Sequence, residues 1–347
     1  MNKVSSLFSL LLSMLLLASC VDVEEYDNSA QGNLEALWHI MDEHYCFFEE
    51  KGVDWDAIHT EYSKQATGDM SRSQLFELLA NMLGTLQDGH VNLSASFDYS
   101  RSWSWKEDYP DNFSHTIQRK YLGTSSEYKV SSGISYKILD DNIGYMYIGS
   151  FEDEIGTGNL DEILTYLAPC NGLIIDVRSN GGGKLTEAQK VASRFISQEC
   201  LVGYMRHKVG SGHNELGDWE PTRLLPSSGI RWTANPVCIL TNRSVYSAAN
   251  EFVKYMKAIA LNTISRTPST IIIIGDTTGG GSGMPYSDEL PNGWAVRMSA
   301  CPMYDVNKQC TEFGIVPDVS IDMSEASMQQ GIDDIIETAR RELTVNN

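Results

Sequence analysis

The 347-residue chain lacks a positive charge balance: 26 Lys and Arg stand against 46 Asp and Glu, a formal net charge of -20. Nothing in such a chain can neutralise a run of phosphates, so nucleic acid is excluded as a partner. Adsorption to anionic lipid headgroups is disfavoured for the same reason. The cysteines have no C-x-x-C spacing and no histidines cluster with them, so neither a zinc site nor any other metal or cofactor is expected. Walker and G-x-G-x-x-G loops are absent, as is the G-x-S-x-G elbow of one large hydrolase class. There is no internal repeat and no low-complexity linker. What is present is 42% hydrophobic and 21% charged residues, the balance of a folded globular protein with a sizeable core.

The N-terminus reads as an address. Lys3 supplies a positive start, and SLFSLLLSMLLLA is an apolar run too short to span a bilayer comfortably. It closes on Leu17-Ala18-Ser19-Cys20, which resembles the lipobox of bacterial lipoproteins. That resemblance implies residues 1–19 as signal peptide, lipid on Cys20, and a tether over 20–32. The plainer alternative is a secretory signal that happens to contain a cysteine. Removing 1–19 takes away one Lys and no acid, so the mature charge is 25 minus 46, or -21. Val21, rather than aspartate, favours the outer membrane by analogy with a known sorting rule, on its periplasmic or surface face. The acidic VDVEEYD is either a surface-export signal or a solvated tether. Disulfides are permitted in an exported chain. Cys301 and Cys310 flank a segment that could turn as a hairpin and bring them face to face.

Leu34, Leu37, Trp38, Met41 and Tyr45 recur at helical steps from Asn33 onward. A second helix is expected to start at Asp54 or Asp56, and SRSQLFELLANMLGTL forms a third. Residues 33–94 are therefore expected as a small helical bundle, with LQDGHVNL turning at Asp88-Gly89 into a strand. Residues 95–139, aromatic and polar without a period, are expected as an irregular connection. From 140 to 347 the pattern alternates. NIGYMYIGSF, GLIIDVRS, PVCILTN and TIIIIGD read as buried strands, and TEAQKVASRFI and SAANEFVKYMKAIA as helices between them. The class is α/β, a sheet covered by helices.

Two glycine-rich loops follow buried strands. One is IIDVRSNGGGK, whose Gly181, Gly182 and Gly183 can turn backbone N–H groups toward a cavity and hold an oxyanion. The other is GDTTGGGSG. Between them, Ser247 starts the helix after PVCILTN, with Ser244 just before it. A serine there is ordinarily an N-cap. The same place suits a nucleophile, because the helix dipole and the Ala248 N–H stabilise developing negative charge.

The ordered run GLIIDVRSNGGG, LTNRSVYSAANEF, GDTTGGGSG, LPNGWAVRMS and EFGIVPDV resembles the core of the tail-specific and tricorn-type serine proteases. The interphotoreceptor retinoid-binding protein shares their superfamily. The resemblance covers residues 140–320, and the N-terminal helices extend it to most of the mature chain. It implies a ClpP/crotonase-like spiral core, a peptide or protein substrate, and Ser247 as nucleophile. Ala248 and Gly182, with Gly181 as neighbour, would supply the oxyanion amides.

In the Ser–Lys branch of that family a lysine follows the nucleophile helix in a T-x-G-K-G pattern. Gly280 stands in its place here, and no lysine occurs between Lys257 and Lys308, which excludes that dyad. The tricorn-like branch uses a histidine, and LQDGHVNL matches its segment, which makes His90 the general base. Glu312 in TEFGIVPD matches the supporting glutamate. Gly89 replaces the serine usual before that histidine, and Asp88 is a substitute partner; Asp305 competes with Glu312 on the same hairpin. The span between His90 and Ile143 is too short for a complete PDZ domain. The rival expectation is a ligand carrier on the same fold, which a wide separation of Ser247 and His90 would favour.

Overall fold

The computed structural model describes residues 26–102, 107–210 and 212–345. Cys20 and the expected signal and lipid-attachment segment lie outside the described residues. Four helices come first: α1 (Ala30–His44), α2 (Phe48–Lys51), α3 (Trp55–Tyr62) and α4 (Arg72–Gly84). Their starts follow local chemistry. Ser29 caps α1, four residues ahead of the expected Asn33, by accepting from the Gly32 N–H. Asp54, not Asp56, caps α3 through the Ala57 N–H. Ser71 and Gln74 close a reciprocal capping box on α4.

After strand β1 (Asn92–Ser94), the span expected to be irregular contains helix α5 (His115–Leu122) and strands β2 (Lys129–Ser131) and β3 (Ile134–Ile138). The two strands form a two-residue hairpin whose Ser132 and Gly133 both have positive φ, 46° and 75°, as a hairpin turn matched to strand twist requires. The alternating part follows: β4 (Ile143–Tyr147), α6 (Thr157–Leu167), β5 (Gly172–Asp176), α7 (Leu185–Ala192), β6 (Cys200–Met205) and β7 (Glu220–Leu224). It continues through β8 (Val237–Thr241), α8 (Ala248–Leu261), β9 (Ile271–Gly275), β10 (Gly283–Glu289), β11 (Ala295–Tyr304), β12 (Val319–Ser320), α9 (Glu325–Gln330) and α10 (Asp334–Val345).

A seven-stranded sheet runs β12-β9-β8-β5-β4-β3-β2. Its β12, β9, β8, β5 and β4 are parallel, and β3 and β2 add antiparallel. Period-two alternation buries both faces. Leu173, Ile175, Val237 and Ile239 join one core with Phe252 and Ile259 of α8, while Ile174, Cys238 and Leu240 join another with Ile335 and Ile336 of α10. The second sheet runs β1-β11-β6-β7, with β10 also on β11. The N-terminal helices do not close a core alone: Leu37, Met41, Leu79 and Met82 pack with Val296 and Met298 of the second sheet and with Trp294 just before β11.

Cys301 and Cys310 do not face each other. In the turn after β11 the residue opposite Cys310 is Tyr304, so Cys301 lies further along the strand and both thiols are free.

Candidate active site

Three parallel strands deliver their carboxyl ends to one place, where open α/β sheets offer a crevice. After β5 comes the loop through Gly181–Gly183, after β8 the turn to Ser247, and after β9 the loop Gly279–Gly281. Ser247 occupies the N-cap position of α8, yet its hydroxyl makes no capping bond. Its backbone has φ 55° and ψ -125°, a conformation that costs a non-glycine residue about 1–3 kcal/mol. The hydroxyl instead lies 3.1 Å from His90 Nε2. Ser244 stays in the preceding turn, half-buried.

His90 arrives from the turn after α4. Asp88 shapes that turn: its Oδ1 accepts the His90 backbone N–H at 2.8 Å and its Oδ2 the Ser299 hydroxyl at 2.9 Å. Burial pushes the imidazole down to about 4, with Arg297 and Lys51 adding to the effect and Asp88 opposing it. At neutral pH the ring is therefore uncharged and able to accept a proton. Its Nδ1 is buried and has no hydrogen-bond partner among the described residues.

Glu312, expected beside the histidine, is held elsewhere. Its carboxylate pairs with Lys51 Nζ at 3.1 Å and accepts the Ser282 N–H at 2.9 Å. The reason is electrostatic: Lys51 is largely buried and needs a counter-charge there. Burial, followed by the Asp88 carboxylate, nevertheless pushes Glu312 up, against the pull of Lys51. Asp305 accepts the Asn307 and Gln309 N–H groups, each at 2.8 Å, and is a turn former.

The amides also depart from expectation. Gly182 presses against Ser247 so closely that a Cβ would come within 2.8 Å of Ser247 Cβ, at φ 106°. Its N–H, however, turns back to Asn180 Oδ1 at 2.9 Å. The amides of Gly181 and Ala248 have no protein acceptor among the described residues. Asn180 escaped the sequence reading. It also accepts the Tyr246 N–H on its carbonyl and donates to the Ile148 carbonyl, bracing the loop against the turn before α8 and the residue that follows β4. Only its place just before the glycines could have marked it.

Gly280 shows why a lysine cannot stand there. A Cβ at this residue would sit 1.7 Å from the Glu312 carbonyl oxygen, and the Gly280 carbonyl accepts the Ser247 N–H at 2.9 Å. The site is thus sealed to side chains at 280. Among the described residues no group of three or more His, Cys, Asp or Glu side chains is arranged to hold a metal ion.

A serine with its hydroxyl on a neutral histidine, beside open amides at the ends of a parallel sheet, defines an α/β protein of the serine-hydrolase kind. The sequence profile of Peptidase family S41 matches residues 142–321, 180 of the 347, and the chain belongs to that family. The profile of the tricorn protease C1 domain matches residues 26–84. The chain is 24% identical over 191 residues to the carboxy-terminal processing protease CtpA of Bacillus subtilis (strain 168), covering 54% of this chain and 37% of that protein. It therefore spans little more than a third of the length of this curated relative. A Parabacteroides merdae crystal structure solved as a candidate peptidase is 48% identical, with 91% of this chain and 97% of that chain covered and a TM-score of 0.84. Mature CPAF shares the fold at 11% identity, with a TM-score of 0.70 over 92% of this chain and 98% of that one.

Proposed function

We propose that the chain is a serine peptidase that cleaves peptide bonds through an acyl-enzyme. The observation carrying this is the 3.1 Å contact between Ser247 Oγ and His90 Nε2, made by a hydroxyl that leaves its helix uncapped. Ser247 Oγ attacks the substrate carbonyl carbon as its proton passes to His90 Nε2. The oxyanion is received by the Ala248 N–H and a second amide of the glycine loop, with Gly181 open and Gly182 available only on leaving Asn180. His90 returns the proton to the departing amine, and a water molecule, deprotonated by the same nitrogen, hydrolyses the ester. One oxyanion donor is worth about a hundred- to thousandfold in rate.

Glu312 is a positioning residue in this scheme. Its carboxylate and carbonyl hold the Ser282 and Gly281 N–H groups, which set the Gly280 carbonyl on the Ser247 N–H. The protein acts outside the cytoplasm, tethered to the outer membrane through lipid on Cys20; the lipobox-like LASC supports this. Labelled palmitate should enter the wild type and not Cys20→Ala.

The deciding experiment is labelling by a fluorophosphonate. Wild type should label, and Ser247→Ala and His90→Ala should not. A folded wild type that stays unlabelled would turn the reading toward a ligand carrier.

A further inference from the structure

The space in front of Ser247 is a cavity of about 300 Å³ whose lining includes Lys184, Thr186, Met284, Pro285 and Arg297. Its charges are of one sign. Lys184 and Arg297 line it, and no Asp or Glu does. On a chain with net charge -20, this is a local reversal at the one place where substrate must sit.

Neither cation is spent on the protein. Among the described residues, no carboxylate pairs with Lys184 or Arg297. Arg297 lies on β11 between Asn92 of β1 and Ser287 of β10, neither of them acidic. It is only part-buried, yet close enough to His90 to help hold the imidazole neutral. A third positive source is the start of α7. Lys184 is its N-cap; the Glu187 and Ala188 N–H groups bond the Lys184 carbonyl, which leaves the amides of Leu185 and Thr186, two residues of the cavity lining, without a protein acceptor among the described residues. The one acid in that turn, Glu187, is committed to Lys190 Nζ at 2.7 Å and to the Ile155 N–H at 2.9 Å. Apolar contact from Met284 and Pro285 completes a pocket that favours a side chain with an aliphatic stem and an anionic tip.

We propose that this cavity binds a carboxylate of the peptide next to the bond being cut, so that acidic peptides are the preferred substrates. The inference deepens the peptidase reading and rests on it for cleavage, while the binding half stands by itself. An anion held between two partly exposed cations and a helix N-terminus gains about tenfold in affinity over its neutral amide isostere.

The test uses the full-length Ser247→Ala chain, which binds without cutting, and fluorescent peptides read by anisotropy. A Glu peptide with both termini blocked should bind about tenfold more tightly than its Gln counterpart. The Glu/Gln ratio should fall toward one in Arg297→Gln and Lys184→Gln, and recover in Arg297→Lys. Because each ratio is internal to one variant, partial misfolding does not distort it. A Gln peptide with a free C-terminus, compared with its amide, tells whether the carboxylate comes from a side chain or from the chain end; preference in either pair supports the pocket. Equal binding in both pairs, or a ratio unmoved by both cation variants, overturns it. Fluorophosphonate labelling of the wild type is scored separately: loss of labelling with the binding preference retained rejects the peptidase reading and keeps the anion pocket.

Discussion

Ser247 holds a left-handed backbone conformation that only its neighbours enforce. Gly182, Tyr246 and the Gly280 carbonyl crowd it so that the hydroxyl reaches His90 rather than its own helix. Relieving that strain has a measurable sign. Ser247→Gly should be about 1 kcal/mol more stable than Ser247→Ala in urea unfolding, since glycine tolerates φ 55° and alanine does not. The histidine gives a second residue-scale prediction. A base must be neutral to take a proton, so kcat/KM should fall only as pH drops through about 4, not through the ordinary histidine range near 6.5. An acid limb near 6.5 in the pH profile would mean that His90 is solvated or not the base. Much of this residue-level site was legible. Ser247, His90 and Ala248 were found from motif and position, and the structure brings them together. The bonding of Glu312 and Gly182 was not legible, because Lys51 and Asn180 compete for them from far and near in the chain.

At the scale of elements, the loop after β9 meets the connection between β11 and β12 around Glu312 backbone to backbone. Gly280→Lys, which restores the pattern of the Ser–Lys branch, should therefore destabilise the fold by at least about 1–3 kcal/mol and should not rescue labelling in His90→Ala. Glu312→Gln leaves Lys51 buried beside a neutral amide. It should cost about 3 kcal/mol in thermal or urea unfolding and slow fluorophosphonate labelling through the loosened loop. Retained stability in that variant would show the pair to be solvated. Helix starts were readable because Asp54, Ser71 and Gln74 act within one turn of their own chain. The β2–β3 hairpin was missed because its turn, Ser132-Gly133, takes positive φ without the Asn-Gly or Asp-Gly pair that signals it most strongly. Its strands are also short, with faces decided by packing on β4.

For the whole molecule, the large sheet is tied to the C-terminal helix by charges fully withdrawn from water. Arg178, at the end of β5, pairs with Asp176 at 2.7 Å and with Asp333 at 3.0 Å, and Asp333 accepts the Ile335 and Ile336 N–H groups that open α10. Arg178→Ala should lower unfolding free energy by about 3–5 kcal/mol, because both carboxylates then stay buried without a cation. Denaturation followed by fluorescence and by circular dichroism would check it. The same scale governs the contact between Ser247 and His90. Ser247 rides on the seven-stranded sheet, whereas His90 rides on the turn between the helical unit and the second sheet, so the core of Met82, Trp294 and Val296 fixes the His90 side of their 3.1 Å contact.

The sequence by itself determined the α/β class, the buried strands and the capped helices, while Ser247 and His90 stood out through the resemblance of their segments to a protease family. The class, strands and helices follow from short-range patterns: hydrophobic period and capping side chains. Only the tertiary structure decided which amides stay open, that Glu312 answers to Lys51, that Gly280 admits no side chain, and that two cations face Ser247 unpaired. Each of these depends on groups distant in the chain competing for one buried partner, and burial makes that competition strong enough to override local preference.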